Sequence, residues 1–316
     1  MSIVIASQLE PALNESLAAH PIRPRVIAVP EHEPWRAAGE ADVMVVRPTP
    51  EWRAVRDERS PRAWPGRLRW VCSASAGIDF YPQWLLDAPL VSCARGTASD
   101  EIADYVIAAI YRQAKDLDGA AARSPEAWQY RPLGQVNGST IGIVGLGAIG
   151  MAVARRAVAL GARVVAVRRS GGGVIGVLGV EMRDHVADAV READHIVIAV
   201  PATPETRHMV DRDLLARAKK GAHLINVARG SVVDQGALLE ALDTGRLGFA
   251  TLDVTDPEPL PAGHPLYTHP LVRLTPHISS NYTVARGKLL TKIMGDITRF
   301  ARGERPSDVV QRERGY

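Results

Sequence analysis

An α/β architecture with parallel sheets in two domains follows from three observations. Short apolar runs of strand length alternate with helix-compatible stretches along most of the chain. Most of the runs in its second half are apolar at nearly every position, as strands covered on both faces should be. One run closes on a glycine-rich turn, which opens into an alanine-rich helix and then a further apolar run.

In the first part of the chain, apolar runs at 3–6, 25–28, 43–47, 68–72 and 90–93 predict strands, with helices over 11–20 and around Trp84. This alternation predicts a smaller α/β domain with a parallel sheet. A helix is predicted over 99–111, because Ser99 can cap it and Asp100 and Glu101 place acidic groups in its first turn. That helix is expected to carry the chain into the second domain. Residues 119–138 are rich in polar and turn-forming types and predict a surface excursion, in which Trp128 either packs across an interface or covers the sheet. Further strands are predicted from Ile141 and at 163–167, 195–199, 222–226, 248–253 and 272–274, with helices over 211–220 and 235–244. A long helix over 284–300 is expected to return to the first domain, and the polar tail after Arg302 to be loosely ordered.

Bulk properties narrow the function. A chain of 316 residues with 46% hydrophobic content can bury a substantial core, and its length suits two domains. The net charge of +3 arises from 38 basic and 35 acidic side chains that are well interspersed, so no basic run points to nucleic acid. No basic segment precedes the first apolar run and no apolar stretch reaches membrane-spanning length, so no membrane is expected and the cytoplasm is the expected compartment. Cys72 and Cys93 lie in apolar surroundings that favour free thiols over a disulfide, and no metal site can be assembled from them.

The glycine turn carries the first chemical assignment. In Gly145-Leu146-Gly147-Ala148-Ile149-Gly150, Gly145 permits the tight turn, Gly147 lets backbone approach a pyrophosphate, and Gly150 lets helix and sheet pack closely. Free N–H groups of the helix start, from Ala148 and Ile149 onward, would receive the phosphate charge. The order strand, turn, helix, strand makes this a dinucleotide site. An acidic residue after the second strand would bind the ribose 2′-OH of NAD, but here that strand ends in Arg168-Arg169-Ser170. Two guanidiniums and a hydroxyl suit a 2′-phosphate, so NADP(H) is the predicted cofactor and NAD a possible one. Gly171-Gly172-Gly173 reads as a flexible turn.

Together with this turn, Asn226-Val227-Ala228-Arg229-Gly230, the segment from Leu252 and Asp253 through Glu258 to Leu260, and Thr275-Pro276-His277-Ile278 resemble the D-isomer-specific 2-hydroxyacid dehydrogenases, particularly the short glyoxylate and hydroxypyruvate reductases. The resemblance runs over nearly the whole chain and includes Ser75-Ala76-Gly77-Ile78-Asp79, which matches the family's substrate loop. It implies a Rossmann-type cofactor domain over 99–284 and a flavodoxin-like substrate-binding domain from 1–98 and 285–316. Arg229, Glu258 and His277 take the places of the catalytic arginine, glutamate and histidine. Pro201, Thr203, Thr206, Val227, Ala228, Asp253 and His277 are expected to border the cofactor. A homodimer is also implied. The sequence departs from the family in Arg168, where the NAD-dependent branch has an acidic residue, and in Ser279-Ser280 after the histidine. It ends at Tyr316 with no further regulatory domain, which is expected to separate it from the larger allosteric phosphoglycerate dehydrogenases.

Residue chemistry fits these roles independently. Reducing a 2-keto acid needs a cation for the carboxylate, a hydride donor and a proton donor. Arg229 can fork onto the acid. Imidazole, with a reference pKa of about 6.5, exchanges protons near neutrality, and Glu258 would orient His277 and favour its imidazolium. Arg95 follows a first-domain strand and has two readings, a contact to an acidic substrate or an interdomain salt bridge. His195 is expected to be structural, while His208 lies in a segment that resembles the family loop bordering the nicotinamide, and His264 and His269 lie near the glutamate loop, within expected reach of substrate. Two alternatives stand beside the reductase: a dehydrogenase for a larger or phosphorylated 2-hydroxy acid, and a silent dinucleotide-binding module of the corepressor kind.

Overall fold

The computed structural model describes residues 2–169 and 179–316. The chain forms two compact units, Met1–Thr97 with Tyr282–Tyr316, and Ala98–Asn281.

In the first unit, β1 (Val4–Ser7), β2 (Arg25–Ala28), β3 (Val43–Val46), β4 (Trp70–Ser73) and β5 (Val91–Ser92) pair in parallel in the order β2-β1-β3-β4-β5. This is the flavodoxin-like order. Alternate residues of each strand serve opposite faces. Ile5, Val43, Val45 and Trp70 pack with Leu13 and Leu17 of helix α1 (Pro11–Ala18) and with Leu289, Ile293 and Ile297 of the C-terminal helix Tyr282–Ala301. Met44, Val46 and Val71 face the other way, against Trp52 of α2 (Pro50–Ala54) and Trp84 and Leu85 of α3 (Gln83–Leu86). Each large apolar side chain so buried contributes about 1.5–3 kcal/mol. Contrary to expectation, the polar tail is built into the unit: Val309 bridges Ser92 in antiparallel fashion, Val310 N–H donates to Val91 O at 2.8 Å, and Lys292 pairs with Asp308 at 2.5 Å. Its few apolar residues close an open sheet edge, which composition alone does not reveal.

The second unit runs α4 (Ser99–Lys115), β6 (Thr140–Val144), α5 (Ala148–Ala159), β7 (Arg163–Val167), β8 (Val180–Met182), α6 (Val186–Glu192), β9 (His195–Ile198), α7 (Arg212–Ala216), β10 (Ala222–Asn226), α8 (Gln235–Asp243), β11 (Leu247–Leu252) and β12 (Val272–Leu274). All seven described strands are parallel, in the order β12-β11-β10-β9-β6-β7-β8. Strand order reverses between β6 and β9, the switch point of a Rossmann-type fold. Ile141, Ile143, Val164 and Ala166 pack under α4 and α5, while Val165, Val167, Ile196 and Leu224 pack under α6, α7 and α8.

Several elements differ from expectation. Ser99 does not cap α4: Ala98 holds the cap position without a side-chain bond, and Ser99 is buried within the first turn. Asp211 and Asp234 do cap α7 and α8, accepting from Leu214 N–H and from Gly236 and Ala237 N–H, at about 1 kcal/mol each. Helix α7 stops at Ala216 because the chain tightens there, with Ala218 N–H bonding Leu215 O. Strand β8 and helix α6 were not predicted; they span three and seven residues and carry little periodic signal. Trp128 does not cover the sheet, for it is 84% exposed. No described helix is long and apolar enough to cross a membrane.

Candidate active site

Because the strands of the second unit are parallel, their carboxyl ends share one edge, and six of them deliver the sequence motifs to it. At the end of β6, Gly145 adopts φ 103, where a Cβ would lie 2.6 Å from Ala199 O. A Cβ at Gly150 would lie 2.2 Å from Gly145 O, so α5 can meet the turn only through glycine. At Gly147 nothing lies within 4 Å of such an atom, and α5 starts there without a side-chain cap. Open space above Gly147 and the uncapped N–H groups of Ala148, Ile149 and Gly150 form a cradle that fits a dinucleotide pyrophosphate.

Strand β7 ends beside this turn. Val167 O accepts from both Gly145 and Leu146 N–H, at 3.0 and 3.2 Å, and the next residues are half-buried Arg168 and exposed Arg169. Ser170 and Gly171-Gly172-Gly173 lie outside the described residues. After β9, Thr206 is buried and its hydroxyl donates to Pro201 O at 2.7 Å and accepts from Thr203 N–H at 2.8 Å. Its side chain therefore shapes the Pro201 loop.

The loops after β10, β11 and β12 converge. Asn226 accepts from Ala228 N–H at 3.0 Å and donates to Arg229 O at 2.9 Å, which locks Val227, Ala228 and Arg229 into one turn. Half-buried Arg229 donates to Ala228 O at 2.8 Å. A Cβ at Gly230 would lie 1.9 Å from the Thr255 carbonyl carbon, so this turn packs directly on the loop that carries Glu258. Gln235 clasps the same loop, donating to Asp256 O at 2.6 Å and accepting from Asp256 N–H at 3.3 Å.

His277 Nδ1 lies 3.1 Å from Glu258 Oε2. Partial burial pushes the Glu258 carboxyl up, but the hydrogen bond and charge of His277, the Thr255 N–H and the Arg229 guanidinium outweigh it and hold the carboxyl below the usual range. His277 has φ 54, a left-handed conformation that costs of order 1–3 kcal/mol in a non-glycine residue. It is held there by its own N–H, which donates to Asp253 O at 2.9 Å and Thr275 O at 3.0 Å. Asp253 itself is buried. Its carboxylate accepts from the Thr275 hydroxyl at 2.7 Å and from Ile278 and Ser279 N–H at 2.8 Å each, so it organises the histidine loop.

Asn226, Gly230, Gln235, Thr275 and Tyr105 were not assigned functional roles from sequence. An asparagine before a tight turn and a glycine after the arginine are local signals for the first two; the others depend on contacts distant in sequence. Four other histidines singled out from sequence contact backbone or pack in the core. His264 and His269 each accept a backbone N–H two residues on, and His208 ties its loop to Ser231 O through its own N–H at 2.9 Å. His195 is buried against His223, with Nδ1 atoms 3.2 Å apart.

In the first unit, the Ser75-Ala76-Gly77 loop follows β4. Ser75 hydroxyl donates to Gly77 O at 2.7 Å, and Ala94 N–H donates to Ser75 O at 3.0 Å, joining the loop to the chain just before Arg95. Arg95 lies 3.8 Å from Asp308 and its guanidinium stands 5.4 Å from the Tyr316 ring centroid. Its ion pair is thus within its own unit, not the interdomain bridge that the sequence left open.

Comparison with known proteins matches this architecture to a family. The D-isomer specific 2-hydroxyacid dehydrogenase, NAD binding domain, profile matches residues 105–279. Glyoxylate/hydroxypyruvate reductase A of Serratia proteamaculans is 33% identical over 278 residues, covering 84% of this chain and 86% of that protein. D-3-phosphoglycerate dehydrogenase of Methanocaldococcus jannaschii is 31% identical over 281 residues, 86% of this chain but 52% of that protein. Among solved structures, the NADPH-dependent glyoxylate/hydroxypyruvate reductase of Sinorhizobium meliloti in complex with NADP and sulfate has a TM-score of 0.79 and 26% identity, with 100% of each chain covered. The chain belongs to the D-isomer-specific 2-hydroxyacid dehydrogenase family and is an NAD(P)-dependent oxidoreductase of that family.

Proposed function

We propose that this enzyme uses NADP(H) by preference and reduces a short 2-keto acid of the glyoxylate or hydroxypyruvate type to the D-2-hydroxy acid. The observation that carries this reading is the His277–Glu258 pair, 3.1 Å apart and within the electrostatic reach of Arg229. Arg229 binds and orients the acid and stabilises charge on the carbonyl oxygen. His277 gives that oxygen its proton, and Glu258 holds the imidazole in the donating state. The bound nicotinamide supplies the hydride. Gly145, Gly147, Ala148, Ile149 and Gly150 hold the pyrophosphate, Arg168 and Arg169 with Ser170 take the 2′-phosphate, and Pro201, Val227, Ala228 and Asp253 shape the surroundings. In the first unit we assign the Ala76 and Gly77 backbone N–H groups and the Arg95 cation to recognition of the acid, with Ser75, whose own N–H donates to the Ser73 hydroxyl at 3.2 Å, shaping the loop.

A larger or phosphorylated 2-hydroxy acid is the second reading, supported by the phosphoglycerate dehydrogenase likeness over 86% of this chain. A homodimer is supported by the exposed apolar side chains of Leu117, Trp128 and Tyr130. The free, buried Cys72 and Cys93 suit the reducing cytoplasm, where we place the activity.

Absorbance at 340 nm with NADPH or NADH, against glyoxylate, hydroxypyruvate and 3-phosphohydroxypyruvate, tests the proposal. Turnover of the short acids with NADPH favoured is expected, and Arg168→Ala should raise the KM for NADPH about ten- to 100-fold with little change for NADH, the size of a lost charge-assisted contact. Preference for the phosphorylated acid moves the assignment to the second reading.

A further inference from the structure

We propose that Tyr105 is a positioning residue for the catalytic imidazole, acting through Thr275 and Asp253; this rests on the reading of His277 as proton donor. Tyr105 lies on α4, and its hydroxyl is 2.7 Å from the Thr275 hydroxyl, which in turn is 2.7 Å from Asp253 Oδ1. The direction of this chain follows from proton counting. A carboxylate has no proton to give, so Thr275 spends its single proton on Asp253 and must accept from Tyr105. Burial pushes the Tyr105 phenol up from its ordinary value, and the nearby Asp253 charge acts the same way against the opposing Thr275 hydrogen bond, which keeps the proton needed for donation.

The chain of bonds ends where the chemistry is. Asp253 backbone oxygen receives His277 N–H, and its carboxylate receives Ile278 and Ser279 N–H. These bonds hold His277 in its left-handed conformation. Tyr105 joins this set of hydrogen bonds from outside the 253–279 segment. It also has a particular place along the chain. The polypeptide passes between the units at 97/98 and 281/282, so the Tyr105–Thr275 bond ties the helix after the first passage to the loop before the second.

Tyr105→Phe deletes one hydroxyl from a partly buried ring, and Thr275→Val deletes the middle link. In the full-length protein, kcat for reduction should fall about tenfold in both variants, the scale of a modest misplacement of a catalytic group. The KM for NADPH should hold, and Thr275→Ser should restore kcat. Wild-type kcat in Tyr105→Phe overturns the proposal, even if Tm drops. A second readout is independent of turnover: hydrogen exchange at the Ile278 and Ser279 amides should quicken in Tyr105→Phe, and unchanged exchange also overturns it. If the wild-type protein reduces no 2-keto acid, the proposed activity fails separately, and the amide exchange alone decides whether Tyr105 holds this loop.

Discussion

Glu258 is held below the ordinary carboxylate range, which near 4.3 is already acidic, so it stays charged wherever an imidazole titrates. Its carboxylate accepts from His277 Nδ1 at 3.1 Å, which fixes the orientation of the proposed proton donor. Glu258→Gln removes the charge but keeps the shape. On the proposed roles, kcat at pH 7.5 should fall about 100-fold, within the range usual for general acid catalysis. Initial rates of both proteins at saturating NADPH check this, and an unchanged kcat would show that the carboxylate does not act through the imidazole.

Loops at the strand ends do for the site what no single side chain does. Gly230 lets the arginine turn lie on the glutamate loop, since a Cβ there would lie 1.9 Å from backbone carbon of Thr255. Backbone cannot yield as a flexible side chain can, so Gly230→Ala should part the two loops and lower kcat/KM about 100-fold or more. The glycine cradle at β6 is built separately, so NADPH affinity by fluorescence titration should change little; a variant with wild-type kcat/KM would refute the packing role. Much of this level was legible from sequence. The run 164–167 is apolar throughout and 222–226 is mostly apolar because α-helical layers cover both sheet faces, and that coverage is written in the residues themselves. Arg229, Glu258 and His277 could be picked out because each is followed or preceded by small or cyclic residues in a recognisable order. The three-residue β8 left too few positions for a period to show. The ordering role of Asp253 was hidden for another reason. Its carboxylate is satisfied by residues 22, 25 and 26 positions away, and local propensity contains no information about such partners.

At the scale of the whole molecule, stability toward acid is set partly by a pair of buried histidines, His195 and His223. His223 Nε2 lies 2.9 Å from the Thr251 hydroxyl, and burial drives the His223 pKa down to about 3, with the His195 ring adding to the effect. His195 is lowered as well, chiefly by burial. The sign follows from proton binding. Below about 6.5 the unfolded chain takes up a proton that folded His223 refuses, so stability is full above that value and is lost as pH falls toward 3. At pH 5 the loss from one such group is about 2 kcal/mol. Urea midpoints measured from pH 7.5 to 4.5 should fall more steeply in the wild-type protein than in His223→Phe; equal slopes would remove this pair from the account of acid sensitivity.

The discontinuous first unit has a consequence for synthesis on the ribosome. Ala98–Asn281 is one uninterrupted stretch, and all its strands are available once Asn281 has emerged. The opening 97 residues have no such independence, because Ile5, Val43 and Trp70 share their core with Leu289, Ile293 and Ile297, which are made last. Until then one face of the first sheet lacks its cover, and exposed apolar surface of this kind is what holdase chaperones bind and what aggregation starts from. The nascent chain therefore completes its later domain before its earlier one, and its yield in a cell depends on how well those opening strands are shielded while the last helix is being translated.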